Sequence, residues 1–398
     1  MGVWSKIDTS EWISPMSVAI KSNGRVRLCA NFKPTINKVI EHGTYQIPTS
    51  AEIFSKLVNC KIFSSIDISD AFLQVRVDEE SSKLLVVSTP LGLRRYERLP
   101  FGLSTSPIIF QEIMASLLDK EERKGVYYDD IVIGGRTKEE HNVTLFRTME
   151  ILQSSGFKLN IEKTKLGEPE IKYLGLKLNA NGISPDEEKI RAITMMPYPK
   201  DVSEVRAFRG MLMYHLKFIP NLSIISKPLS KLTKKNCKFY FGREEKQCFD
   251  KLKTILTSGS VFTPYNKNEK VIFAANASQY GYRACVLHQF KNGDEKPIEY
   301  ISKTFNKSQL SCSQIEKELT GIINGTLRLK DYLIGRSFVL RTDSQPLKFL
   351  LDPDANLPTI MLRRVDRWLY QLRKFDFVAE YVPTQKFGYV DALSRLLL

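Results

Sequence analysis

Two adjacent carboxylates in a turn constrain this chain more than any other feature of it. Tyr127-Tyr128-Asp129-Asp130 lies between Gly125-Val126 and the apolar run Ile131-Val132-Ile133-Gly134, which reads as two short strands joined by a tight hairpin. Carboxylates side by side at the tip of a strand pair repel one another and are costly to bury, unless a hard cation with oxygen preference offsets them. Taken alone, the pair is equally well a surface β-turn, because aspartate favours turns for local reasons. A second strand tips the balance. Lys61-Ile62-Phe63-Ser64-Ser65-Ile66-Asp67-Ile68 is rich in β-branched and aromatic residues and ends at an isolated carboxylate, Asp67. Three carboxylates from separate strands suit a pair of Mg²⁺ ions about 3.5 to 4 Å apart, one activating the attacking oxygen and the other the leaving oxygen of a phosphoryl transfer.

Between the two strands runs Arg95-Tyr96-Glu97-Arg98-Leu99-Pro100-Phe101-Gly102-Leu103, followed by Phe110-Gln111, and Tyr173-Leu174-Gly175 comes later. In order and spacing these motifs resemble reverse transcriptases of gypsy-type LTR retrotransposons, and the chain is similar to the central part of such a Pol polyprotein. The likeness continues through Lys189-Ile190, the stretch from Pro197 to Leu212 and Phe218 to Ser223. From Val271 onward the chain resembles that family's RNase H, with Asn276-Ala277-Ser278, Glu316-Lys317-Glu318-Leu319, Thr342-Asp343-Ser344 and Asp391-Ala392-Leu393 in family order. The resemblance implies an α+β right-hand polymerase of fingers, palm and thumb with a connection, followed by an RNase H-like α/β domain. Its divisions are expected at 1–183 for fingers and palm, 184–236 for thumb, 237–268 for connection and 269–398 for the RNase H-like part.

Local patterns fit this division. Ser106 to Leu118 carries apolar residues at helical spacing and is expected to lie beneath the palm sheet. Pro185 with Asp186-Glu187-Glu188 reads as a helix cap and first turn, Ser203-x-x-Arg206 begins a second amphipathic stretch, and Phe249, Leu252 and Leu256 are expected in a core. Lys and Arg number 59 against 44 Asp and Glu, a formal charge of +15. From Ser184 to Tyr240 there are 11 Lys and Arg against 5 Asp and Glu, so the excess gathers in the segment that would grip a duplex backbone. The six cysteines have no Cys-x-x-Cys spacing, and with only four histidines no zinc pattern is complete. No signal peptide or membrane-length apolar run is present, which points to a reducing, intracellular setting. The resemblance narrows this to the cytoplasm, within a virus-like particle, or the nucleus.

The resemblance also implies residue roles. Asp67 and Asp129 are the metal ligands, Asp130 is a looser third carboxylate, and Tyr127 supports the hairpin. Phe72, five positions after Asp67, is expected under the sugar ring of an incoming deoxynucleotide; the alternative is a core aromatic. Arg27 corresponds to the fingers arginine that clamps the triphosphate, a task for a planar, permanently charged donor. Lys21 could assist it, but reads better as a solvated surface lysine. Phe101 and Gln111 shape the nucleotide pocket and template contact, and Lys163 corresponds to a palm lysine near the triphosphate. Expected partners are an RNA template, a DNA primer, an RNA–DNA hybrid and dNTPs.

Departures from the family pattern are concentrated in the last part. Asn276 stands where the first RNase H carboxylate is expected, leaving Glu318, Asp343 and Asp391 as ligands. Arg283 replaces a usual glycine and Tyr389 a usual asparagine. The family's fingers begin upstream of the equivalent of Val3, so the chain reads as a fragment or a decayed copy. The function expected is RNA-directed DNA polymerisation with two Mg²⁺, Mn²⁺ able to substitute, and impaired RNase H. The alternatives are a non-catalytic nucleic-acid-binding protein of retroelement origin and a decayed, inactive copy.

Overall fold

A computed structural model describes residues 2–20, 24, 26–41, 43–118, 122–215, 218–219, 222–234, 237–257, 261–352 and 363–383; of Ala19, Ile20, Arg27, Arg363 and Arg364 it describes the backbone. The chain divides into two compact units, Met1–Tyr173 and Leu174–Leu398.

The first unit holds two sheets. Strands β1 (Trp4–Lys6), β2 (Ser14–Ile20) and β3 (Val26–Ala30) combine with β5 (Val86–Thr89) and β6 (Gly92–Tyr96) in the order β1-β6-β5-β2-β3. The second sheet, in the order β7-β8-β4-β9, contains β4 (Ile62–Asp67), β7 (Lys124–Tyr127), β8 (Asp130–Gly135) and β9 (Lys165–Glu168), and β10 (Glu170–Tyr173) follows it. Helices α1 (Ser50–Lys56), α2 (Glu79–Leu84), α3 (Ser106–Leu118) and α4 (Lys138–Ser154) complete the unit. Ile131, Val132 and Ile133 are all fully buried. A continuous apolar run is what a central strand covered on both faces requires. Phe110, Met114 and Leu118 of α3 and Leu145 and Leu152 of α4 share one core with Ile66, Ile131 and Ile133. Helix α3 has the bounds expected from its apolar spacing.

One glycine in this unit is obligatory. Gly102 has a φ of +98°, and a Cβ there would collide with the carbonyl oxygen of Ala30. Only glycine adopts that conformation freely and leaves room for the neighbouring backbone. The Leu-Pro-Phe-Gly-Leu segment is thereby pinned to the end of β3.

In the second unit, β11 (Leu176–Asn179) and β12 (Gly182–Pro185) form a hairpin, followed by α5 (Glu187–Thr194), α6 (Val202–Tyr214), α7 (Leu222–Ile225), α8 (Lys227–Leu232) and α9 (Arg243–Thr257). Asp186 and Asp201 cap α5 and α6 by accepting from Glu188 N and Glu204 N. Helix α6 thus begins at Val202, one residue before Ser203, with the Asp201 carboxylate facing its orphan N–H groups. Phe249, Leu252 and Leu256 are buried with Phe208 and Leu229 in a helical core. The remaining sheet runs β15-β14-β13-β16-β17, built from β13 (Lys270–Ala277), β14 (Gly281–Gln289), β15 (Glu295–Thr304), β16 (Ser337–Thr342) and β17 (Asp376–Tyr381). Helices α10 (Lys307–Leu310), α11 (Gln314–Arg328), α12 (Lys330–Leu333), α13 (Gln345–Leu350) and α14 (Arg363–Leu372) accompany it. β13 to β15 are antiparallel, whereas β16 is parallel to both β13 and β17. The crossover from β15 to β16 carries α11, as parallel pairing requires.

Candidate polymerase centre and RNase H-like site

β4 and β8 pair antiparallel in a register that sets Asp67 directly opposite Asp130. Ile68 N donates to Asp129 O at 3.0 Å, so the pairing continues into the turn. β7 and β8 are joined by the two residues Tyr128 and Asp129, with Tyr127 opposite Asp130. Tyr128 takes the left-handed conformation, φ +53°, a strained choice for a tyrosine that persists only where surrounding contacts enforce it. Gln111 supplies such contacts. It is fully buried on α3, its Oε1 accepts from Tyr128 N at 2.7 Å, and its Nε2 donates to Val126 O at 3.1 Å. The Tyr173 hydroxyl, also buried, donates to Asp130 O at 3.0 Å.

Three carboxylates therefore gather at one end of the central strands. Burial pushes the Asp130 carboxyl up to about 6, and the negative charges of Asp129 and Asp67 add to the effect, while Lys163 opposes it. The Lys163 ammonium lies 3.1 Å from Asp67 Oδ2 and is two-thirds exposed, whereas Asp67 is 13% exposed. A cation is thus already drawn to the centre, and the donors, all oxygens bearing charge, are those a hard divalent ion selects. As they stand the carboxylates are not drawn into a ligating cluster: among the described residues no three His, Cys, Asp or Glu are grouped to hold an ion.

Phe72 sits in a single 3-10 turn, Ala71–Gln74, that follows β4. Its ring centroid is 5.1 Å from that of Phe101 and 5.5 Å from that of Phe110, and the side chain is only half-buried. It therefore packs on the core with one part and presents another to solvent. Gln111 borders a pocket with Tyr45, Glu52 and Ala115, while both ends of its amide serve the hairpin backbone. Its partners are 15 and 17 residues away, a separation over which sequence periodicity carries no signal. Arg27 pairs with Ala19 between β3 and β2, and its side chain lies outside the described residues. Lys21, Tyr389 and Asp391 lie wholly outside them.

In the second unit Asn276 is the penultimate residue of β13 and Asp343 follows the parallel neighbour β16, so both stand at the C-terminal ends of adjacent strands. Asn276 Nδ2 donates to Asp343 Oδ2 at 2.9 Å. Only the nitrogen end of the amide can face a carboxylate, because the oxygen end would repel it. Glu318, in the second turn of α11, accepts from Gln314 Nε2 at 2.9 Å, and the same nitrogen donates to Ala277 O. Arg283 is directly opposite Asn276 on β14. The carboxylates of Glu318 and Asp343 are thus met by amide N–H donors, and the described residues do not fit a divalent cation in this arrangement.

Comparisons with known proteins agree with the architecture. Residues 21–178 match the family model described as reverse transcriptase (RNA-dependent DNA polymerase), and residues 241–340 match the RNase H-like domain found in reverse transcriptase. The chain is 32% identical to the retrovirus-related Pol polyprotein from transposon 297 of Drosophila melanogaster, over 98% of this chain and 36% of that protein. It is 28% identical to the transposon Tf2-3 polyprotein of Schizosaccharomyces pombe, over 96% of this chain and 29% of that protein. The chain therefore spans about a third of the length of the curated relatives it matches. Among solved structures, a foamy viral protease-reverse transcriptase in complex with double-stranded DNA superposes with a TM-score of 0.85 at 24% identity, covering 96% of this chain and 67% of that one. This last likeness concerns the fold.

Proposed function

The chain carries a reverse transcriptase domain followed by an RNase H-like domain, and from that premise we propose that it is the polymerising part of a gypsy-type retrotransposon Pol polyprotein, extending a DNA primer on an RNA template with dNTPs. The observation that carries this reading is the register that sets Asp67 opposite Asp130, with Asp129 at the adjoining turn. Asp67 and Asp129, with Asp130 as the looser third group, would hold Mg²⁺, or Mn²⁺ in its place, which when bound offsets their charge and activates the attacking 3′-hydroxyl and the leaving pyrophosphate.

The protein's own groups do the rest. Gln111 and Tyr173 hold the backbone of the hairpin so that its carboxylates do not drift; positioning of this kind is where much of phosphoryl-transfer catalysis originates. Lys163, whose exposed ammonium lies 3.1 Å from Asp67, stands beside the carboxylates, where it would meet the triphosphate. Arg27 clamps the same group from the fingers, and Phe72 lies beneath the sugar, where its ring excludes a 2′-hydroxyl. The Asn276–Asp343 hydrogen bond supports an RNase H-like domain that holds hybrid without cutting it.

A rival reading, nucleic-acid binding without turnover, draws on the same hydrogen bond. Primer extension on an RNA template with Mg²⁺ and dNTPs, run beside filter binding of the same duplex, separates the two. Extension that is abolished by Asp67→Asn or Asp129→Asn, with duplex affinity unchanged or slightly stronger, supports the polymerase. Binding without extension supports the rival, and extension retained in either variant ends the assignment of those carboxylates.

A further inference from the structure

Phe72 owes its place to a turn that does not hold itself. Asp70, which caps the 3-10 turn Ala71–Gln74, takes the left-handed conformation at φ +45°, a choice that costs any residue but glycine and that surrounding contacts must enforce. Gln74, the last residue of the turn, supplies them. Its Nε2 donates to Lys158 O at 2.9 Å and also to Ser69 O, and its Oε1 accepts from Lys158 N at 2.7 Å. Lys158 belongs to the segment after α4 that runs alongside the end of β4. Ser69 N donates to Lys158 O at 2.9 Å, Ile68 bridges Leu159 antiparallel, and Asn160 N donates to Asp67 O at 2.8 Å. One side-chain amide thus offers the Lys158 backbone a donor and an acceptor, as a further strand would. The main chain of Gln74 is held as well, since its carbonyl accepts from Arg98 Nη1 at 2.7 Å.

The ring of Phe72 reaches the same segment from the apolar side. Phe110 lies between Phe72 and Phe157, with ring centroids 5.5 and 6.1 Å away. Apolar packing is non-directional and lets a ring slide or tilt. Rejection of a 2′-hydroxyl asks for more, because the two sugars differ by a single oxygen and a shift of the ring by a fraction of its width would make room for it. Directional bonds from one amide to two backbone positions supply what packing lacks. We propose that Gln74 is a positioning residue for sugar selection, tying the turn that carries Phe72 to the Lys158–Asn160 segment. This rests on the reading that places Phe72 beneath the sugar of an incoming nucleotide.

Two variants in the full chain test it, each made alone and together with Phe72→Val. Gln74→Met keeps the length of the side chain and removes its hydrogen bonds, while Gln74→Glu keeps its shape but turns an acceptor toward the carbonyls of Ser69 and Lys158. Gln74 is half-buried, so both variants are expected to fold, and thermal unfolding checks this. Single-nucleotide primer extension on an RNA template gives kcat/KM for a dNTP and for the matching rNTP. In both single variants the ratio favouring the dNTP is expected to fall about tenfold, what the free energy of one hydrogen bond amounts to. Added to Phe72→Val, neither should change the ratio further, because the ring it positions is gone. A merely structural role slows both nucleotides alike, so an unmoved ratio in the folded Gln74 variants, with a ratio relaxed by Phe72→Val, overturns the role of Gln74 alone. An equal fall in the Phe72→Val background also overturns it, since the effect would then not pass through the ring. A ratio unmoved by Phe72→Val overturns the placement of Phe72 and the role of Gln74 together, as does a native chain that extends no primer.

Discussion

Asn276 and Asp343 are joined by an amide-to-carboxylate hydrogen bond of 2.9 Å, at the position where the family pattern calls for two carboxylates. A buried amide that donates to a carboxylate makes a charge-assisted bond and stabilises the charge of the oxygen it meets. A second carboxylate in place of the amide would set two negative charges against each other beside Arg283.

Asn276→Asp is therefore expected to lower stability without divalent ions by about 1 to 3 kcal/mol, the cost of losing a hydrogen bond to a charged group. Mg²⁺ should restore much of that loss by binding the folded state. Thermal unfolding with and without Mg²⁺ reads both effects, and cleavage of the RNA strand of a hybrid reads function. The native chain should not cleave. Robust Mg²⁺-dependent cleavage by the native chain would refute the impaired site, and cleavage gained in Asn276→Asp would show that Glu318, Asp343 and Asp391 still work together.

The hairpin makes a separate demand on Gln111. Gln111→Leu keeps the approximate volume but leaves Tyr128 N–H and Val126 C=O without their partner, each at a cost of about 1 to 3 kcal/mol when buried. Primer extension should fall more than duplex affinity does, because the carboxylates lose their support while the basic surfaces are untouched. Equal loss of both would show that the variant simply unfolds.

Phe72 is expected to select the sugar. Phe72→Val removes the half-buried ring that packs on Phe101 and Phe110, so ribonucleotide incorporation should rise relative to deoxynucleotide. If the ratio does not move while stability drops, Phe72 is a core aromatic and no more.

His288 sets a pH limit on the second unit. Burial, with a smaller contribution from Arg336, pushes its imidazole down to about 4, against the partial opposition of the Lys270 carbonyl. Its Nε2 accepts from Asn266 N at 2.8 Å, which only the neutral ring can do. Because the unfolded chain takes up the proton near the ordinary histidine value of about 6.5, the stability is complete above that pH. It is lost as pH falls toward 4. Unfolding midpoints measured across this window should fall, and His288→Gln should flatten the slope. An unaltered slope in the variant would assign the pH dependence to other groups.

Much of the candidate carboxylate centre was legible in sequence because its signals are local. A strand ending at Asp67, a two-aspartate turn before three apolar residues and an apolar period over Ser106–Leu118 each follow from neighbours a few residues apart, and the structure gives α3 those bounds. The ordering of several such motifs along the chain determined the architecture. Lys124 shows where that kind of reading stops. It closes the charged run Glu122-Arg123-Lys124, yet it lies buried in β7 with its Nζ 3.4 Å from Thr148 Oγ1 on α4, and only packing between elements supplies that partner. The same holds for Gln111 on the hairpin, for Lys163 on Asp67 across 96 residues, and for Asn276 on Asp343 across 67. Sequence by itself determined which residue types are present and which strand or helix each belongs to. Tertiary structure alone decided which polar groups answer one another, because hydrogen-bond and charge partners are chosen by proximity in space, and the composition of a segment holds no record of what will fold against it.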